Sequence, residues 1–159
     1  MLPRPTMRNV MAWDFETDPD FAEKLSWMRD FIDSEVIPLE PILSEIPADE
    51  WQQVKRYLQA RVKAQGLWGL FLDPSLGGEG LGQLKLALIS EIIGRCMVSM
   101  ELFGVQAPDS GNMELLAHGA TDAQKQRWLY PNLNGEISSA FALTEPFLAG
   151  ADPTVIATT

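Results

Sequence analysis

Few residues in this 159-residue sequence have the types and spacing that chemistry needs. There is one cysteine, Cys96, and one histidine, His118. A thiolate nucleophile wants a base beside it, and nothing in the sequence places these two together. Cys96 follows Arg95 in apolar surroundings and reads as a small buried side chain. His118 falls at an expected helix end, where the dipole mildly favours a cation, and reads as structural. Glu91 and Glu101 are the carboxylates to consider for acid–base work, but neither has a partner carboxylate, and each reads as solvated or ion-paired. The run GGEGLG at 77–82 lacks the Gly-Lys-Ser/Thr of a phosphate loop and would set Glu79 against a pyrophosphate. It reads as a turn that returns the chain to the core. No catalytic residue and no metal ligand is assigned.

The stretch with the most chemical content is residues 138–154, SSAFALTEPFLAGADPT. Ser139, Ala140, Phe141, Ala142 and Leu143 alternate as a strand does, and Thr144-Glu145-Pro146 breaks the pattern. Ala149, Gly150 and Ala151 then lead to Asp152, and such small residues let a backbone approach a ligand closely.

The elements that must position this stretch are helices. Asp18-Pro19 is a cap followed by proline at the first helical position. Phe21, Leu25, Met28, Ile32 and Val36 recur at helical spacing until Pro38 and Pro41. A second helix is expected over 48–65, with the stripe Trp51, Val54, Leu58 and Val62. Residues 83–94 are apolar nearly all round, which predicts a central buried helix. A further helix is expected from Pro108 to His118, and Thr121 with Gln124 has capping-box spacing. The expected core includes Trp51, Leu58, Leu88, Ile92, Met113 and Trp128. Five or six helices thus precede one strand, at 136–143, and a lone strand has no sheet to join. The chain reads as mainly α. It divides into an arm (1–17), a helical domain (18–135) and the start of a truncated β domain (136–159).

Composition narrows the function. A net charge of -10 argues against non-specific nucleic-acid binding, which depends on Lys and Arg neutralising phosphates. No apolar run approaches the roughly 20 residues of a membrane span. Residues 1–10 lack the apolar region of a secretory signal, so a cytoplasmic protein is expected.

Five motifs in order resemble those of the acyl-CoA dehydrogenase family. They are Gly66-Leu67-Trp68-Gly69 with the glycine run at 77–82, Glu91 through Gly94-Arg95, the APDSGNM segment after Gln106, Gln124 through Trp128-Leu129, and FALTEP followed by AGADPT. The resemblance implies an N-terminal helical domain, a middle β domain and a C-terminal helical domain, with FAD between the last two. It implies α-proton abstraction from an acyl-CoA thioester by a carboxylate, with the β hydrogen passing as hydride to the flavin. By resemblance, Phe141, Ala142, Leu143, Thr144, Glu145, Gly150 and Ala151 contact the cofactor. Thr144 would meet the flavin ring edge, and Gly150 and Ala151 the pyrophosphate. Gln106 and Ala151 would lie toward the acyl-CoA. Ala151 stands where the family usually has serine, so a hydroxyl donor is lost. The family's base lies in its C-terminal domain. The expected partners are therefore an acyl-CoA and either a second copy of the full-length protein or a complementing C-terminal chain. The isolated chain is expected to be inactive. The alternatives are a non-catalytic helical interaction module derived from such an enzyme, and part of an acyl-CoA oxidase.

Overall fold

Asp18 starts the first helix as its chemistry dictates. In the computed structural model, which describes residues 17–142, 144–146, 152 and 154–157, its Oδ1 accepts from the Phe21 N–H at 2.9 Å. Pro19 occupies the first turn, where a missing N–H costs nothing. Helix α1 (Pro19–Phe31) buries Phe21, Leu25, Met28 and Phe31. Pro38 and Pro41 do not stop the chain outright. A π-helical turn (Ile32–Val36) and a 3-10 stretch (Ile37–Glu45) carry it on, with Pro38 in the first turn of that stretch, where a missing N–H costs little, and Pro41 inside it.

Helix α2 (Ala48–Ala64) has Asp49 and Glu50 in its first turn and Arg61 and Lys63 in its last, each complementing the dipole. Leu58 and Val62 are buried, while Trp51 and Val54 pack half-buried against the same core. The segment after α2 then folds on itself. Glu79 N–H donates to the Gly69 carbonyl, Gly80 N–H to Leu72 and Leu81 N–H to Leu70. A Cβ at Gly78 would lie 2.2 Å from the Leu72 carbonyl oxygen, so only glycine fits this backbone crossing. The glycine run is a folded turn that carries Leu67, Leu70 and Leu72 into the interior.

Helices α3 (Gly82–Ile93) and α4 (Met97–Leu102) follow, then α5 (Asp109–Gly119). A short α6 (Asp122–Gln124) continues through a π-helical turn (Lys125–Leu129) into α7 (Tyr130–Leu133). Thr121 and Gln124 form the expected capping box. The main core joins α1, α2, α3 and α4 around the fully buried Met28, Leu102 and Phe103. A smaller one places Met113 and Ala117 of α5 against Leu129 and Leu133. Burying each large apolar side chain contributes about 1.5–3 kcal/mol. Cys96 is buried. No helix among the described residues is long and apolar enough to cross a membrane.

Three expectations need correction. Helix α3 is not buried all round: Ile89, Ile92 and Ile93 face the core, Leu88 is half-buried and Leu84 is 78% exposed. Among the described elements, α1 and α4 are the ones it packs against most. Trp128 is not core either; it is 46% exposed, with the Arg127 guanidinium 4.7 Å from its ring. The π turn accounts for this. Tyr130 N–H donates to the Lys125 carbonyl, so one extra residue enters the turn and the apolar face shifts to Leu129. Last, residues 136–142 form neither helix nor strand. A strand needs a partner's hydrogen-bond ladder, and no described segment supplies one. The helical class stands without it.

Candidate functional site

The residues that meet around α5 come from four parts of the chain. α5 opens at Asp109, and its first-turn carboxylate suits the positive end of the helix. Yet Asp109 is only 6% exposed, and a buried carboxylate needs donors. It has four. Gln106 Nε2 donates to Oδ2 at 2.9 Å, and Asn132 Nδ2 donates to Oδ1 at 3.2 Å. The Ser139 N–H and its hydroxyl both donate to Oδ1 at 2.6 Å. Asn112 Nδ2 in turn donates to the Ser139 hydroxyl oxygen at 2.9 Å. The segment after α7 is therefore fastened to α5 by side chains rather than by a ladder.

Helix α2 closes the other side. Lys55, Gln59 and Lys63 repeat every four residues and so share one face. Lys55 pairs with Glu101 at 2.7 Å, and Gln59 Nε2 donates to the Glu101 carbonyl at 3.1 Å. Lys63 Nζ donates to the Asn134 carbonyl at 2.7 Å and lies 4.4 Å from the Trp68 ring centre. Burial holds the Lys63 ammonium below its ordinary pKa, partly offset by nearby Glu136. Trp68 Nε1–H donates to the Leu133 carbonyl. Between these walls is a cavity of about 30 Å³, bordered by Gln59, Glu101, Gln106, Asp109 and Asn132. Gln106 Oε1 is buried there without a protein partner, and a space of this size and polarity suits one ordered water.

The expected site residues fall as follows. Gln106 is half-buried and bonded to Asp109. Phe141 is 68% exposed, and Ala142 and Thr144 are exposed. Glu145 is half-buried and accepts from the Ala157 N–H at 3.1 Å. Leu143, Gly150 and Ala151 lie outside the described residues. Asp152 holds a local turn, accepting from the Thr154 hydroxyl at 2.7 Å and its N–H at 2.9 Å, which keep its carboxyl below the usual range. Glu91 is exposed, and Glu101 is ion-paired. Asp109 and Ser139 were missed as a pair. They stand 30 residues apart, and only the tertiary fold brings them together.

Residues 20–136 match the model of the acyl-CoA dehydrogenase N-terminal domain. The chain is 43% identical over 131 residues to mouse acyl-CoA dehydrogenase family member 10, covering 77% of this chain and 12% of that protein. It is 39% identical over 140 residues to rat acyl-CoA dehydrogenase family member 11, covering 83% of this chain and 18% of that one. Among solved structures, one assigned to the acyl-CoA dehydrogenases of Mycobacterium abscessus superposes with a TM-score of 0.77 at 39% identity. That match covers 90% of this chain and 38% of the other. The chain belongs to the acyl-CoA dehydrogenase family and carries its N-terminal domain, and it spans less than a fifth of these two curated relatives.

Proposed function

We propose that this chain is the N-terminal portion of a flavin-dependent acyl-CoA dehydrogenase, with residues 18–135 as the helical domain and 136–159 as the entry to the middle β domain. The match of residues 20–136 to the family's N-terminal domain carries this reading. When bound, FAD supplies the hydride acceptor for the β hydrogen of an acyl-CoA. The described residues fit a flavin edge. Residues 140–142 are committed to neither helix nor strand, so their backbone donors and acceptors are free of any ladder. The exposed Phe141 offers an aromatic face, and the exposed Thr144 a hydroxyl. Gly150 would admit the pyrophosphate, and Ala151, lacking the family's usual hydroxyl, would offer backbone N–H alone. Gln106 would border the acyl chain.

In this reading the chain binds, orients and excludes water. The base that takes the α proton, and the facing wall of the cleft, come from further residues in the same polypeptide or from a complementing chain. A homo-oligomer is the assembly that would bring such walls together. The test is a chimera in which residues 20–159 replace the corresponding stretch of the Mycobacterium abscessus relative. The expected result is FAD loading with acyl-CoA-dependent bleaching of the flavin. A folded, FAD-loaded chimera that no acyl-CoA bleaches would refute the proposal and favour a non-catalytic helical module. Bleaching followed by rapid reoxidation in air would favour an oxidase.

A further inference from the structure

We infer that Asp109 is a positioning residue, setting the register at which the chain leaves the helical unit and coupling Gln106 to the segment that begins at Phe141. What that segment does rests on the flavin reading; the clamp itself does not. Of residues 136–142, only Ser139 is not exposed. Its N–H and hydroxyl hydrogen both go to Asp109, and its hydroxyl oxygen accepts from Asn112. One residue is thus held through both its N–H and its hydroxyl, while its neighbours Ser138 and Ala140 are exposed. Ser138 could present a hydroxyl to the same carboxylate if the chain slipped by one residue. Such a slip would displace Phe141 by the rise of one extended residue, roughly 3.3 Å. In the structure it is Ser139, not the exposed Ser138, whose amide and hydroxyl pair with Asp109 Oδ1 and whose hydroxyl oxygen accepts from Asn112.

The two carboxylate oxygens divide the work. Oδ2 takes Gln106, on the side assigned to the acyl chain, and Oδ1 takes Ser139, two residues before the first flavin-side residue. Movement of Gln106 therefore reaches Ser139 through a single side chain. Asn132 holds Oδ1 from α7, so the carboxylate cannot follow one side without straining the other.

The experiment is residue-resolved amide hydrogen exchange on the 159-residue chain, with global stability measured in parallel. In the unaltered chain, the Ser139 amide should exchange more slowly than those of Ser138 and Ala140. Asp109→Asn should raise its rate roughly 10- to 100-fold, the range for losing a hydrogen bond to a charged group. Amides of Ile92 and Leu102 should shift only as far as global stability does. If Asp109→Asn does not fold, Ser139→Ala keeps the N–H bond and loses the hydroxyl, and should raise exchange of that amide several-fold. Gln106→Leu should do likewise, and less than additively with Ser139→Ala, if the coupling runs through the carboxylate. An unprotected Ser139 amide, or rates unchanged in all foldable variants, would overturn the clamp. Additive effects of Gln106→Leu and Ser139→Ala would overturn the coupling. The flavin reading fails separately, when the unaltered chimera folds without loading FAD while Ser139 protection persists.

Discussion

Helix α3 offers a direct test of how the domain is held together, because one of its isoleucines and one of its leucines differ almost only in burial. Ile92 is 3% exposed and sits in the main core with Ile89 and Ile93, whereas Leu84 is 78% exposed on the same helix. Truncating Ile92 to alanine removes three carbons from a closely packed site and leaves a cavity, at a cost of about 2–5 kcal/mol. Domains of this size are stable by only about 5–15 kcal/mol, so the loss is a large part of the whole. Leu84→Ala removes as many carbons from solvent and should stay within about 0.5 kcal/mol of zero. Alanine's helix propensity even helps slightly at such a position. The assay is urea unfolding followed by far-UV circular dichroism, and the two variants should share one m-value. An Ile92→Ala cost below about 1 kcal/mol would refute the assignment of α3 to the core. A Leu84→Ala cost as large as that of Ile92→Ala would show that the second face of α3 is also covered in solution.

Other predictions follow from local chemistry. Thr121→Ala removes the hydroxyl that accepts from the Gln124 N–H, and should cost about 0.5–2 kcal/mol in the same unfolding assay. The Asp18 carboxyl is held below its ordinary 3.8, first by Lys85, whose Nζ lies 2.7 Å away, and then by the Phe21 N–H. A depressed carboxyl pKa stabilises the fold above the unfolded value and loses that contribution as pH falls through the folded one. The stability gap between the unaltered chain and Asp18→Asn should therefore be widest near neutrality and close below about pH 3.8, read as unfolding midpoints across pH. The isolated 159-residue chain should bind FAD weakly or not at all and leave acyl-CoA unoxidised; tight stoichiometric FAD with acyl-CoA-dependent bleaching would require a base within it, with Glu91 and Glu101 the first to change.

What was legible in the sequence was what neighbours in sequence decide. The Asp18 cap, the Thr121–Gln124 box and the stripe Phe21, Leu25, Met28 each depend on residues within a turn or two, and each is found. The family was legible too, through motifs in order. The failures came from register and partners. An even helical period placed Trp128 inside, but the π turn adds a residue and brings in Leu129. Apolar content placed Leu84 inside, but burial depends on which neighbours cover a face. Alternation placed a strand at 136–143, yet Ser139 is held by the side chains of Asp109 and Asn112. Asp109 itself looks like an ordinary acid in a helix's first turn until a residue 30 positions on is folded against it.

The carboxylates show what kind of contribution this domain can make. A general base must offer a free lone pair at the proton it takes, with a pKa suited to the task. Asp109 is buried and conveniently placed, but its oxygens already receive four donors. Glu101 borders the same cavity, but Lys55 holds its Oε1 at 2.7 Å, and losing that partner would leave the ammonium of a half-buried Lys55 uncompensated. Glu91 lies exposed to solvent on α3. Protonating Glu101 would weaken its ion pair with Lys55, and protonating Asp109 would weaken the bonds that tether Ser139. The groups best placed near the site are thus the ones already engaged in holding it. This domain contributes position: helices packed around a buried carboxylate, and a following segment held at Ser139 by Asp109 and Asn112.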